Sequence, residues 1–329
     1  MKRVTIHDVA ETAGVSLATV DRVLNGRPGV RKVTIEKVKQ AVEALNYKPD
    51  VFAAGLAKKR VYRLHFLIPN GPNAFMEDLT REALSHAETM SGDRMHVHVE
   101  PIDAFDGHRV AGTLAILDRS QCDGVAVVAP AFPEVQAAID RLQDRGVPVV
   151  TLVSDHPSSS RQHFVGIDNV AAGRTAGRLL GRFLPRSPAK VAIIAGSLGL
   201  RDHAERYQGC RAVIEQDYPH LELLKVREGR DDNARNADLM RKLLAEHPDL
   251  AGLYNIGAGN RGTIAALKES GRSQGIVFVG HELTPYTREA LQDDVLDAVI
   301  AQDPGHEIRS AIRVLKALCD GVPIIEGQE

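Results

Sequence analysis

The sequence predicts a small all-α head followed by an α/β body of two lobes, each built on a parallel sheet. Three observations lead there. The first 60 residues hold three short amphipathic stretches, two of them joined by a tight glycine turn. From residue 62 onward, apolar strand-like runs alternate with helical stretches. That alternation continues for about 265 residues, more than one sheet usually organises. The expected division is a head at 1–47, a linker at 48–61 and a body at 62–329.

In the head, "TIHDVAETA" places Ile6, Val9, Ala10 and Ala13 on one helical face, with Thr5 as N-cap and Asp8 three residues on. "GV" ends that helix. "SLATVDRVLNG" then starts at an N-capping Ser16, turns Val20, Val23 and Leu24 inward, and stops at Asn25–Gly26. Two such helices around a glycine turn describe a helix-turn-helix. A third helix, over Thr34–Leu45, offers Ile35, Val38, Val42 and Leu45 to a shared core.

Charge is unevenly distributed. Residues 1–60 carry 12 Lys and Arg against 6 Asp and Glu, whereas the remainder carries 29 against 37. A basic head on an acidic body points the head toward an anionic partner. In a helix-turn-helix the second helix enters the major groove, and its N-terminal residues meet the base edges. Here those are Leu17, Ala18, Asp21 and Arg22. Arg22 has the fork that pairs with guanine O6 and N7, while Leu17 and Ala18 offer apolar contact to a thymine methyl. Ser16, Thr19 and Asn25 suit phosphates, which position without reading sequence. Thr5 completes the set facing DNA.

The run "VTIHDVAETAGVSLATVDRVLNGRPGV", continued by "EKVKQAVEALNYKPDVFAAGLA", resembles the head of the lactose-repressor (LacI) family of bacterial transcription regulators. The resemblance implies a homodimer, or a higher oligomer, on double-stranded operator DNA. It also implies that "PDVFAAGLA" forms a hinge helix whose Leu56 wedges into the minor groove, exchanging base stacking for a bent, more extensively contacted duplex. Three positions depart from the family pattern: Asp21 replaces a small hydroxyl residue, Arg31 replaces the Ser cap of the third helix, and Gly55 lies inside the hinge helix.

In the body, "YRLHFLI", "DGVAVVA", "VPVVTLV", "KVAIIAG", "LAGLYNI", "GIVFVG" and "LDAVIAQ" read as strands, with helices such as "HAERYQGCRAVIEQ" and "ADLMRKLLAEH" between them. Repeated βα units with apolar strands give parallel sheets covered by helices, and ligands of such folds bind beyond the carboxyl ends of the strands. The family resemblance continues here and implies a type I periplasmic-binding-protein fold closing on a small effector, commonly a sugar. It carries Arg206 of "RYQG", Asn255 of "YNIGAG", Glu282 of "VGHE" and Gln302 of "IAQD" to effector contacts. "NGPNAFMED" and "LVSDHP" add Asn73, Phe75, Ser154 and Asp155. The chemistry is apt: carboxylates accept from sugar hydroxyls, Arg and Asn donate, and an aromatic covers a C–H face.

Enzyme readings fare worse. "GAGNRG" at 257–262 fits G-x-G-x-x-G between a strand and a helix, with Glu282 about twenty positions on. Yet dinucleotide domains place that turn after their first strand, and this one follows many, so Gly257 and Gly259 read more simply as a tight strand-to-helix turn. Ser154, Asp155 and His156 are consecutive and cannot form a triad. His96 and His98 share a strand face without further ligands at metal spacing. Cys122, Cys210 and Cys319 show no paired spacing, which points to a reducing compartment. The N-terminus has no signal core, and no run of 18 apolar residues occurs. The expectation is a cytoplasmic, sugar- or polyol-controlled regulator, most simply a repressor of carbohydrate uptake or catabolism genes, with no enzyme activity, no cofactor, no metal and no membrane partner. The alternatives are a solute-binding component of sugar transport, or an NAD(H)-linked enzyme or redox sensor using "GAGNRG".

Overall fold

The computed structural model describes residues 4–24, 28–45, 47, 61–90 and 95–325. Asn25, Gly55, Leu56 and, apart from Val61, the expected hinge over 48–61 lie outside the described residues. The chain divides into two compact units, 1–61 and 62–329.

The first unit has three helices: α1 (Ile6–Ala13), α2 (Leu17–Leu24) and α3 (Lys32–Ala44). Thr5 and Asp8 form a reciprocal capping box, which satisfies two backbone donors at the start of α1. Gly14 ends α1 at φ 64°, a left-handed conformation that glycine adopts without strain. Ser16 starts α2 by accepting the Thr19 N–H at 3.3 Å. Arg31 precedes α3 with no side-chain cap bond, because a guanidinium has no acceptor to offer. The core is small: Val9, Ala10, Ala13, Val20, Val38 and Ala41, flanked by Ile6, Val23, Leu24, Val42 and Leu45.

The second unit contains two parallel sheets. The first combines β1 (Tyr62–Pro69), β2 (Met95–Ile102), β3 (Gly124–Val127), β4 (Val149–Leu152) and β5 (His163–Val165) in the order β2-β1-β3-β4-β5. Helices α4 (Ala74–Met90), α5 (Gly107–Ile116) and α6 (Pro133–Asp144) connect them. The chain then passes through α7 (Asn169–Phe183) into the second sheet. There β6 (Ala189–Ala195), α8 (Arg201–Asp217), β7 (Leu221–Leu223), β8 (Arg227–Glu228), α9 (Asn233–Glu246), β9 (Leu250–Asn255), α10 (Asn260–Ser270), β10 (Val277–His281), α11 (Pro285–Gln292) and β11 (Ala298–Ile300) follow in sequence. Its order is β11-β10-β9-β6-β7, with β8 also on β6. Both sheets therefore carry the same doubly wound order, reversing direction at β1/β3 and at β6/β9. Every strand pair is parallel, and the central strands are buried on both faces, which is why they read as continuous apolar runs.

The last helix, α12 (Pro304–Asp320), returns to the first lobe. Ile308, Ala311, Ile312 and Leu315 pack with Leu64, Phe66 and Val150, and Asp320 accepts a hydrogen bond from Tyr62 Oη at 2.8 Å. The lobes are thus joined by chain crossings before α7 and before α12. Among the described residues no helix is long and apolar enough to cross a membrane.

Candidate functional site

The two reversal points face one cavity, lined by residues that follow strand ends in both lobes. Asn73 and Phe75 come from the segment after β1, Ser154 from after β4, Arg230 and Asp231 from after β8, Glu282 from after β10, and Gln302 from after β11. This is where a doubly wound sheet presents a crevice. Four lining residues other than glycine have left-handed backbones: Val153 (φ 62°), Arg230 (53°), Asp231 (57°) and Glu282 (68°). Such conformations are costly for residues with a Cβ and cluster where a site dictates them.

Arg206 is the buried cation of the cleft, 3% exposed. It reaches its place because α7 and α8 touch backbone to backbone: a Cβ on Gly173 would collide with the Arg206 carbonyl, and one on Gly209 with the Val170 carbonyl. Its Nε donates to Asn169 Oδ1 at 2.8 Å and its Nη1 to the Ile256 carbonyl at 3.1 Å, while Nη2 has no partner among the described residues. Glu282 accepts from Gln302 Nε2 at 2.6 Å and from the Gln302 backbone N–H at 3.2 Å. Burial raises the Glu282 pKa, and nearby Arg206 and the Gln302 bonds counter part of that rise. Ser154 is buried with its hydroxyl unpartnered, and Gln302 Oε1 is likewise free of protein donors. Asn73 caps the entry to α4 by accepting the Phe75 N–H at 3.1 Å, and it also donates to Asp231 Oδ2 at 3.2 Å from the opposite lobe.

The cavity thus brings together Asn73, Phe75, Ser154, Arg206, Glu282 and Gln302. Two other expected contacts sit outside its lining. Asp155 turns away to Arg161, which donates from Nε at 2.5 Å and from Nη2 at 2.7 Å, and it also accepts from Thr151 Oγ1 at 2.6 Å. Burial would raise its pKa, but these bonds outweigh burial and hold the carboxyl below its usual range. Asn255 is fully buried and braces the turn after β9, donating to the Ala258 carbonyl at 3.0 Å and to Asn260 Oδ1 at 2.8 Å. Each supports the site from behind: Asp155 under the Ser154 loop, Asn255 under Gly257 and Ala258.

Sequence reasoning missed Asp202, His203, Arg230, Asp231, Phe105 and His281, all of which line the cleft. Asp202 lies one turn before Arg206 on α8, so the spacing alone could have flagged it. Asp231 follows the two-residue strand β8, which leaves no periodic signal. His281 is fully buried, with Nε2 2.8 Å from Tyr254 Oη; burial first, and then Arg206 and His203, hold its pKa well below the ordinary value.

The glycines of "GAGNRG" are filled from the protein side. Gly257 makes room for Asp231 and His203, Gly259 (φ 81°) for Asn236, and Gly262 for the Asn233 carbonyl. The Ala258 N–H is taken by Asp231 Oδ1 at 3.0 Å, and the Gly262 N–H faces Asn233 Oδ1 at 3.3 Å. A pyrophosphate needs free N–H groups at that helix start; here a carboxylate occupies the approach. Among the described residues no group of three or more His, Cys, Asp or Glu could hold a metal ion.

In the head, Ser16, Leu17, Ala18 and Arg22 are exposed on α2, with Thr19 and Asp21 half-buried beside them. Val20 is fully buried on the opposite side. Thr5 is exposed, but its hydroxyl is engaged with Asp8 at 2.7 Å.

Residues 5–50 match the family described as "Bacterial regulatory proteins, lacI family", and residues 64–323 match "Periplasmic binding protein domain". The chain belongs to the lacI family of bacterial regulatory proteins. It is 30% identical over 245 residues to catabolite control protein A of Priestia megaterium, covering 74% of this chain and 70% of that protein. It is 29% identical over 251 residues to the ribose operon repressor of Halalkalibacterium halodurans, covering 76% and 70%. A glucose-galactose binding protein from Geobacillus stearothermophilus shares the body's fold, with a TM-score of 0.74 at 23% identity over 81% of this chain and 94% of that one. As in other lacI-family regulators, a DNA-binding head is joined here to an α/β effector-binding body.

Proposed function

We propose that this lacI-family regulator represses carbohydrate uptake or catabolism genes as a cytoplasmic homodimer, and that a polyhydroxy compound in the cleft controls its hold on the operator. The observation that carries the reading is the set of buried polar atoms along one cavity without partners among the described residues: Arg206 Nη2, Ser154 Oγ, Gln302 Oε1, Asp202 Oδ1 and His281 Nδ1. Buried polar groups are normally hydrogen-bonded, so this set is a template for a ligand rich in hydroxyls. Phe75 offers an apolar wall for a ring face. Leu17, Ala18, Asp21 and Arg22 read bases; Thr5, Ser16, Thr19 and Asn25 hold phosphates; Leu56 wedges the minor groove. The effector works by linkage: it shifts operator affinity by the difference in its own affinity for the two lobe arrangements, typically about 1–3 kcal/mol.

The relatives named as a catabolite control protein and a ribose operon repressor support this reading over catalysis. The structural neighbour named as a glucose-galactose binding protein supports a sugar-like ligand. The basic head weighs against a transport component, and Asp231 at the Ala258 N–H weighs against a dinucleotide. The test is operator binding, measured by fluorescence anisotropy against a panel of sugars, polyols and NAD(H). A sugar or polyol is expected to change operator affinity saturably. A response to NAD(H) alone would overturn the reading.

A further inference from the structure

The polar lining of the cleft is more acidic than a neutral polyol requires. Asp103, Asp202, Asp231 and Glu282 line it against two guanidiniums, Arg206 and Arg230. Arg230 is exposed and lies over the Phe105 ring, 4.9 Å from its centroid, which leaves Arg206 as the only buried guanidinium among the lining residues.

Asp202 (6% exposed) and Asp231 (7%) flank His203. Asp202 Oδ2 is 3.6 Å from His203 Nε2. A Cβ on either Gly196 or Gly257 would strike both Asp231 Oδ1 and His203 Cε1, so these two groups lie side by side between the same glycines. His203 Nδ1 accepts the Ser197 N–H at 3.3 Å, so the ring hydrogen sits on Nε2 and faces Asp202. The imidazole supplies a donor there. Asp231 is held by uncharged donors, the Ala258 N–H at 3.0 Å and Asn73 Nδ2 at 3.2 Å. Among the described residues neither carboxylate is paired with a Lys or Arg. A carboxylate buried without a counter-charge is strongly disfavoured, and binding sites tolerate it where the ligand brings the missing charge.

The hydrogen-bonding balance points the same way. Of the unpartnered buried atoms on the lining residues, Asp202 Oδ1 and Gln302 Oε1 accept only, Ser154 Oγ does either, His281 Nδ1 donates or accepts according to its tautomer, and Arg206 Nη2 alone is donor-only. A hydroxyl brings one donor and two acceptor positions, whereas an ammonium brings three donors and no acceptor.

We propose that the effector is an amino-polyol of the amino-sugar class, its protonated amine seated on Asp202 Oδ1 within reach of the field of Asp231, and one of its hydroxyl oxygens accepting from Arg206 Nη2. The inference rests on the reading of the cleft as a polyhydroxy site and adds the ligand's charge to it. Asp202 then selects the amine, and sugar acids are rejected by the same carboxylates.

The full chain is titrated calorimetrically at slightly acidic pH with matched pairs: glucosamine and glucose, galactosamine and galactose, mannosamine and mannose, 1-amino-1-deoxysorbitol and sorbitol, together with gluconate and galacturonate. In at least one pair the amine is expected to bind about tenfold or more tightly than its hydroxyl parent, with the acids weakest. Asp202→Asn should bring that ratio close to one, and Asp202→Glu, which keeps the charge, should retain a preference; circular dichroism verifies that both variants fold. A parent sugar that binds as tightly as its amine, with the ratio unmoved by Asp202→Asn, overturns the amine inference and leaves the polyhydroxy reading standing. No binding by any member of the panel overturns both.

Discussion

Asn73 Nδ2 donates to Asp231 Oδ2 across the cleft, at 3.2 Å, tying the segment after β1 in one lobe to the segment after β8 in the other. The same Asn73 carbonyl oxygen caps α4, so one side chain both fixes a helix start and reports the separation of the lobes. Asn73→Asp keeps the cap but sets a carboxylate against Asp231. Like charges at this range repel strongly in a poorly solvated cleft. The variant is expected to open in solution, with a larger radius of gyration by small-angle scattering than the parent at neutral pH. A radius equal to that of the parent would show that this bond does not govern closure.

Arg206 offers the cleanest test of the ligand site. Its Nε and Nη1 are anchored to Asn169 and Ile256, and its Nη2 has no partner among the described residues. Arg206→Lys keeps the charge but loses the fork. The substitution is expected to weaken effector binding by about 1–3 kcal/mol while operator binding without effector stays near normal. Glu282→Gln, measured in the same calorimeter, should act in the same direction. Undiminished effector affinity in both variants would remove these two residues from the site.

Much of this arrangement was legible in the sequence, and the exceptions have physical causes. The central strands announced themselves because burial on both faces demands unbroken apolar runs, as in "VAIIA" of β6. The capping box of Thr5 and Asp8 needs only local chemistry and was read correctly. The edge strands β7 and β8 are three and two residues long, too short for any period to register, and Asp231 vanished with them. Asp155 was expected at the ligand because "SDH" follows a strand end; only the folded loop reveals that Arg161, six residues on, claims the carboxylate. Asn255 shows the same limit. A polar residue at a strand's end can face the cleft or brace the turn behind it, and Asn260 decides which.

The head makes its own prediction. Arg22 is exposed on α2, on the face away from Val20. Arg22→Ala is expected to weaken operator binding by roughly 1–3 kcal/mol and to relax preference at one base pair, as loss of a bidentate guanine contact does. Removal of a phosphate-contacting Lys or Arg would instead flatten the salt dependence across all sequences. Selection of binding sites from a random pool checks this, and an unchanged consensus would exclude direct readout by Arg22.

Glu307, in the first turn of α12, is 4% exposed, and among the described residues neither carboxyl oxygen has a hydrogen-bond partner. Burial, followed by the nearby Glu282 charge, pushes its pKa from 4.5 up to about 8, with Arg206 opposing. The folded protein therefore holds this proton more tightly than the unfolded chain. Between pH 4.5 and 8 the unfolded chain has released it and the folded one has not, so the group's contribution, favourable at acid pH, is lost as pH rises to about 8. Glu307→Gln removes the titration. Its melting temperature relative to the parent is expected to rise from pH 5 to pH 8.5, by roughly 2–4 °C for each kcal/mol recovered. A difference that stays flat with pH would mean that Glu307 is ionised in the fold.

The glycine turn supplies the last prediction. Gly259 sits at φ 81° with Asn236 where a Cβ would go, and at Gly262 a Cβ would meet the Asn233 carbonyl, so α10 approaches α9 only because neither has a side chain. Gly262→Ala must push the two helices apart, which costs about 1–3 kcal/mol as overpacking and more if the Ala258 turn shifts with it. The loss should appear as a lower melting temperature together with weaker effector binding, because Ala258 and Asp231 line the cleft through that turn. A nucleotide fingerprint predicts a different pair of results: the parent would bind NAD(H) in the micromolar range, and Gly259→Val would abolish that binding while sparing the sugar response. With Asp231 on the Ala258 N–H and Asn233 on the Gly262 N–H, the parent is expected to give no saturable NAD(H) signal at all.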